Sequence, residues 1–200
     1  NLCNLNAIQV IKNHLSKEDK YTFALNELSH FLAIKEIIKI EGYDVSHISG
    51  ENAVASCVVF SNTGPLRNSY RLFNIAKKLS GNDVGSLEHV IKRRLKYYDD
   101  PKVKPDLILI DGGKTQLKFV EEVINSSNHK DLKIISIVKG SNRMRATETI
   151  ISKTGVVELD KYSKAFLLLQ EIRDESHRFA LKAQRRKNRS KITQSELDNI

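Results

Sequence analysis

The stretch PDLILIDGGKTQL, residues 105–117, decides the fold. Leu107 to Ile110 form an uninterrupted aliphatic run with no polar alternation. A strand of that kind is covered on both faces, as in parallel sheets. The run closes at Asp111, and Gly112-Gly113 allow a tight turn and close backbone approach. KTQLKFVEEVINSS (114–127) then reads as a helix and KIISIVKG (133–140) as another buried strand. In open α/β sheets, ligands gather at the carboxyl ends of the strands. Asp111 stands at such an end, and a helix starting near Lys114 points an anion-favouring N-terminus at the same spot. The plainer alternative makes Asp111 the N-cap of that helix.

Working outward, IIKIEGYDVSHISG (37–50) reads as a strand ended by Ser49-Gly50, and NAVASCVVF (52–60) as a second strand rich in β-branched residues. SNTGP is a turn, and SYRLFNI (69–75) supplies a third strand. Three consecutive strands with short turns predict an antiparallel meander. DVGSLEHVIKRRLKYY (83–98) places Val84, Leu87, Val90, Ile91 and Leu95 on one side of an amphipathic helix with a basic opposite face. TETIIS and GVVELD form a short hairpin insertion, and SKAFLLLQEIRDESHRFALKAQRRK (163–187) is a long final helix. Residues 1 to about 35 read as helical, with Ser16 as an N-cap. The expected architecture is α/β: a mixed sheet of a three-strand antiparallel meander plus parallel strands, flanked by helices. The expected segments are a helical N-terminal extension or linker (1–36), the α/β domain (37–187) and a basic tail (188–200) leading to an absent C-terminal region. The chain starts without Met and ends in SELDNI, and it reads as a piece of a longer protein.

Hydrophobic residues make up 40% and charged residues 28%, ordinary values that exclude disorder as the governing property. No apolar run approaches the ~20 residues of a membrane helix. The N-terminal residues lack the pattern of a signal peptide. With Cys3 and Cys57 alone and no CxxC pair, no structural zinc site is visible, and a reduced cytoplasmic setting fits. Lys plus Arg total 33 against 24 Asp plus Glu, a net charge of +9. The excess clusters at Lys92, Arg93, Arg94 and Lys96, and again at Lys182, Arg185, Arg186, Lys187, Arg189 and Lys191. Such clusters suit a polyanion, because neutralising phosphates releases counterions; a solvated basic face is the plainer alternative.

Asp44 lies inside the first strand and shares a face with Ile40, Gly42 and Ser46. A carboxylate there is costly to bury unless paired or bound to a cation; a strand-end Asp bonded to a turn is the structural alternative. His47 falls on the other face. His177 sits at the edge of the inward stripe of the last helix (Phe166, Leu169, Ile172, Ser176, Phe179, Ala183), one turn after Arg173. Glu175 is an alternative acidic ligand off that stripe. A lone helical His is usually structural, and His89 and His129 have no evident partners. Asp83 reads as an N-cap of the basic helix or as an extra carboxylate. Two carboxylates and an imidazole make a hard, open donor set of the kind that takes Mg²⁺ or Mn²⁺.

At these residues the chain resembles the C-terminal endonuclease domain of UvrC, the incision subunit of bacterial nucleotide excision repair. The resemblance runs from about residue 37 to 187. IEGYDVSHISG is similar to the family's D-I-S-H strand, NAVASCVVF to the strand that follows, and YRLFNI to Y-R-R-F-N-I. PDLILIDGGKTQL is similar to L-I-D-G-G-K-x-Q-L, and EIRDESHRFA to R-D-E-A-H-R-F-A. Five motifs in one order are far more specific than any one of them. The resemblance implies an RNase H-like fold with an Asp44, Asp111 and His177 cluster that is both catalytic and metal-binding, with Asp83 matching a further acidic position. GNDVGS and VKGSNRMRATETI depart from the family's pattern, although Lys139, Arg143 and Arg145 keep positive charge in the second.

The implied activity is a metal-dependent endonuclease that hydrolyses a DNA phosphodiester, making the 5′ incision of a UvrABC-type system. The expected cofactor is Mg²⁺ or Mn²⁺. The expected partners are damaged double-stranded DNA and a UvrB–DNA complex met through regions outside the chain, with no membrane. Lys114, Arg173, Arg178, Arg185 and Arg186 are the expected phosphate contacts. A catalytically inert RNase H-like nucleic-acid-binding module is the main alternative. A phosphate-handling enzyme built on DGGK is a third, and it leaves the basic tail and the His177 motif unexplained.

Overall fold

The computed structural model describes residues 19–46, 53–76, 81–138 and 148–197, with side chains as far as residue 186. In chain order these form helix α1 (residues 19–31), strands β1 (Lys39–Ser46), β2 (Val54–Ser61), β3 (Gly64–Pro65) and β4 (Arg71–Asn74), and helix α2 (Asp83–Leu95). Strand β5 (Leu107–Asp111), helix α3 (Lys114–Asn125), strands β6 (Lys133–Val138), β7 (Thr149–Ser152) and β8 (Gly155–Val157), and helix α4 (Lys164–Leu197) follow. A 3-10 turn at Arg67–Ser69 precedes β4. Ser16, His47 and the Lys139, Arg143, Arg145 positions lie outside the described residues.

All eight strands join one sheet in the order β3-β2-β1-β5-β6-β7-β8, with β4 paired to β2. The expected meander forms: β1 pairs antiparallel with β2, and β2 with β4. Parallel pairs form between β5 and β6, as their buried runs predict, and between β1 and β5. The hairpin of β7 and β8 does not stand apart as an insertion; β7 pairs antiparallel with β6 and carries β8, so it widens the sheet. Leu107, Ile108, Leu109 and Ile110 are each at most 1% exposed, as their unbroken apolar run requires.

Helices cover both faces. On one, α2 and α3 bury Leu87, Val90, Ile91, Leu117, Val120 and Ile124. On the other lies α4, which buries Phe166, Leu169 and Ile172 against β1 and β2. Its close approach depends on Gly42, where an added Cβ would stand 2.3 Å from Ile172 Cγ2.

Two expected boundaries move. Residues 19–31 are not a linker: Tyr21, Ala24, Leu25 and Leu28 belong to the same buried core as the sheet. Helix α1 also clamps α4, because Glu27 accepts from the Ala165 N–H at 2.7 Å and Tyr21 donates to Glu171 at 2.6 Å. At the other end, the backbone of residues 188–197 continues α4 as helix, where a separate tail was expected. Among the described residues no helix is long and apolar enough to cross a membrane.

Candidate active site

Period-two alternation along β1 sends Ile40, Gly42 and Asp44 toward α4, and Glu41 and Tyr43 toward α2. Asp44 is 7% exposed, and two donors hold it. Ser46 Oγ donates to Asp44 Oδ2 at 2.8 Å, and His177 Nδ1 lies 3.3 Å from the same oxygen. Oδ1 has no protein partner among the described residues. The His177 side chain remains 52% exposed against 9% for Asp44, so a polar rim meets water at this point.

The position of His177 follows from how α4 is seated. Ile172 fills the space above Gly42, and Ser56 Oγ on β2 donates to the Ser176 carbonyl at 2.9 Å. That bond pins the residue next to His177 to the strand paired with Asp44, since Asp44 and Ser56 are register partners.

Asp111 closes β5. Tyr43 is the register partner of Ile110 on the parallel strand. Continuing that register one step along both strands brings Asp44 level with Asp111 on the α4 face, across one strand spacing of about 4.8 Å. The turn after Asp111 is braced from two sides. Gln116 Oε1 accepts from the Gly113 N–H at 2.8 Å, and Ser136 Oγ on β6 donates to the Gly112 carbonyl. A Cβ at Gly112 would meet Gln116 Oε1 at 1.9 Å, so a side chain there would displace the Gln116 amide from its bond to Gly113. The N-cap of α3 is Gly113, so Asp111 is not spent on that duty.

The three expected site residues therefore reach one end of one sheet face, with Asp44 and His177 in direct contact and Asp111 on the next strand. Asp44, Asp111 and His177 are hard donors of the kind a small divalent cation takes. Among the described residues, however, no group of three His, Cys, Asp or Glu side chains is already drawn together tightly enough to hold an ion. Asp83 is exposed in the first turn of α2, whose N-cap is Asn82 accepting from Gly85 at 2.9 Å, so the expected capping role passes to Asn82. Glu175 is engaged by Arg178 and Tyr70. It accepts from Arg178 at 2.6 and 2.7 Å and from Tyr70 at 3.2 Å, and the Arg178 fork holds its carboxyl below the ordinary range.

Of the expected phosphate contacts, Lys114, Arg178, Arg185 and Arg186 are exposed. Arg173 is not; it is 6% exposed and bonded to Glu148 and to Asp174. A guanidinium sealed between two carboxylates is not presented to a DNA backbone. Arg94 also leaves the expected basic face. It is buried 2.5 Å from Glu41, whose carboxylate accepts in addition from Tyr43 and Tyr98 at 2.6 Å. Burial, reinforced by that carboxylate, pushes both phenols well above their usual range. Sequence reading missed this cluster, although Arg94 falls on the stripe of Leu87, Val90, Ile91 and Leu95. In the sequence, Ser46 and Gln116 stand inside the quoted motifs without a role assigned to them, and Glu148 and Ser136 are not singled out.

The family described as "UvrC RNAse H endonuclease domain" matches residues 29–181. The chain is 37% identical over 193 residues to the UvrABC system protein C of Legionella pneumophila, covering 95% of this chain and 31% of that protein. It is 36% identical over 203 residues to that of Coxiella burnetii, covering 98% of this chain and 33% of that one. The chain thus spans about a third of the length of these curated relatives. Among solved structures it is similar to endonuclease V from Streptomyces avermitilis (TM-score 0.46, 15% identical, 85% of this chain and 94% of that). It is also similar to the NurA nuclease from Sulfolobus solfataricus (TM-score 0.42, 13% identical, 97% and 94%). Neither structural likeness bears on the chemistry. The family match over most of the chain does: this chain belongs to the UvrC RNase H endonuclease domain family.

Proposed function

We propose that this chain is a metal-dependent DNA endonuclease domain of nucleotide excision repair, cutting on the 5′ side of a lesion. The observation that carries the reading is the Asp44–His177 contact at 3.3 Å, made at the rim of the sheet one strand from Asp111. The two curated relatives are named for the UvrABC system, which supports excision repair as the setting.

Asp44 through Oδ1, with Asp111, would hold a Mg²⁺ or Mn²⁺ ion. When bound, such an ion supplies Lewis-acid polarisation of the phosphodiester and an activated water. His177 acts beside it. Its Nδ1 is turned to Asp44, so Asp44 fixes the tautomer and leaves Nε2 to give or take the proton as water adds to phosphorus and the P–O bond breaks. That engagement favours proton transfer over metal ligation for His177. Lys114 at the start of α3, with exposed Arg178, Arg185 and Arg186, contacts phosphates on either side. Asp83 stands at the start of α2 and joins the site only as an outer carboxylate. Damaged DNA is delivered by a UvrB-containing complex through regions outside this chain.

Asp44→Ala and Asp111→Ala abolish 5′ incision and leave DNA affinity unchanged, while His177→Ala slows it by about 100- to 10,000-fold. Incision at the parental rate in either Asp variant refutes the assignment. Calorimetric titration with Mn²⁺ separates the nuclease from an inert binding module, which takes up no ion.

A further inference from the structure

Glu148 immediately precedes β7, on the far side of the sheet from the β1–β2 pair on which α4 rests. Thr149 is the register partner of Val138, and Ile137 is the partner of Asp111. Glu148, two residues before Ile150, therefore points to the α4 face at the same end of the sheet as Asp44 and Asp111. Its side chain is 4% exposed, and both oxygens are taken by α4. Gln170 Nε2 donates to Oε2 at 2.7 Å, and Arg173 Nη1 donates to Oε1. Arg173 is completed by Asp174 Oδ1, 2.6 Å from Nη2. Between β1 and β7 stand β5 and β6, so three strand spacings, about 14 Å, separate the strand under Asp44 from the strand that carries this anchor.

Arg173 is one helical turn before His177, on the same side of α4. The apolar contacts that seat α4 on β1 and β2 resist lifting but resist rolling about its axis poorly, because dispersion contacts have no direction; the bonds from Ser56, Tyr21 and Glu27 hold the helix from the β2 and α1 side. Side chains end about 6 Å from a helix axis, so a 20° roll carries the His177 imidazole by about 2 Å. That is enough to lose a contact of 3.3 Å to Asp44. A lateral strut bonded at both carboxylate oxygens opposes such a roll from the β7 side, where those bonds do not reach.

We propose that Glu148 is a positioning residue for the reaction: with Arg173 and Gln170 it fixes the rotation of α4 and so delivers His177 to Asp44. The inference rests on the catalytic reading of His177 given above. It also gives Arg173 a role other than phosphate contact.

The test uses Glu148→Gln/Arg173→Met, which removes both charges together and spares the fold an unpaired buried ion. It is run in the full-length protein with single-turnover incision, DNA affinity and thermal melting measured side by side. The expected result is a rate at least ~10-fold lower, the range found when a group orienting a reactive residue is removed, with DNA affinity unchanged. Introduced into His177→Ala, the same pair change produces no further loss, because Glu148 acts through His177. A parental rate in the pair variant, or a loss that adds in full to that of His177→Ala, overturns the proposal. Should His177→Ala leave no measurable rate, the ¹⁵N signature of the His177 ring in the pair variant decides. Loss of the Nδ1-protonated form supports the strut, and an unchanged signature overturns it. A parental rate in His177→Ala itself sinks the catalytic reading instead.

Discussion

Consider the replacement of Gly42 by alanine, one methyl group added under α4. An ideal Cβ there lies 2.3 Å from Ile172 Cγ2 and 3.2 Å from Val58 Cγ2. Carbon–carbon contacts settle at ~3.5–4.0 Å, so about 1.2–1.7 Å of separation must be found. Ile172 is 0% exposed and β-branched, and a β-branched side chain in a helix has one strongly preferred χ1, so it cannot swing aside cheaply. The helix has to lift or tilt. Overpacking of this kind costs about 1–3 kcal/mol, which lowers the melting temperature by about 2–4 °C per kcal/mol in a domain of this size. Function suffers more than stability. Asp44 is two residues along β1 from the clash and His177 five along α4, so a shift above 1 Å breaks their 3.3 Å contact. Gly42→Ala is therefore expected to fold, to melt earlier and to incise DNA about 10- to 100-fold more slowly. Adding Ile172→Ala deletes Cγ2 and restores the incision rate while stability stays low, since a large side chain has left the core. Urea denaturation and single-turnover incision of the three proteins make the comparison. A Gly42→Ala protein that cuts at the parental rate refutes the claim that helix seating governs the site.

Two further outcomes follow from the buried and paired charges. Glu41→Gln or Arg94→Met alone costs about 3–5 kcal/mol by stranding one ion in the core, whereas the double replacement recovers most of that loss in urea denaturation; equal stability of all three variants would show that the pair is not desolvated in solution. Glu175, held below its ordinary range by the Arg178 fork, contributes stability above its unfolded pKa of about 4.3, and that contribution is lost as pH falls through the lower folded value. Glu175→Gln should thus lower stability at pH 7 and match the parent in strong acid, as read from denaturation at the two pH values, and a gap that widens on acidification contradicts the sign.

Much of this architecture could be read from residue order. The unbroken Leu107–Ile110 run announced a doubly covered strand, and the turn-separated strands before it announced a meander, because periodicity and turn chemistry act locally. Asp44 was legible as an acid inside the first strand, and Asp111 as one at a strand end. Their adjacency was not, since it depends on β1 joining β5 across more than sixty intervening residues, and only the register decides that. Arg173 was misread for a related reason: a charged residue on a helix edge looks solvent-facing until the partner that buries it, Glu148, is brought in from another strand. Arg94 was misread by cluster, although its spacing from Leu87 and Ile91 placed it on the inward stripe. Helix α1 looked detachable because a short amphipathic helix gives no local sign of which surface accepts it.

The sheet finishes on one side in β3 and β4, of two and four residues, and on the other in β8, of three. Pro65 withholds a backbone donor from the first of these borders, and among the described residues neither offers a long row of unpaired amides and carbonyls. A sheet this broad would otherwise template strand exchange between copies at the concentrations met during synthesis. Keeping its margins short lets the wide central platform exist without inviting aggregation.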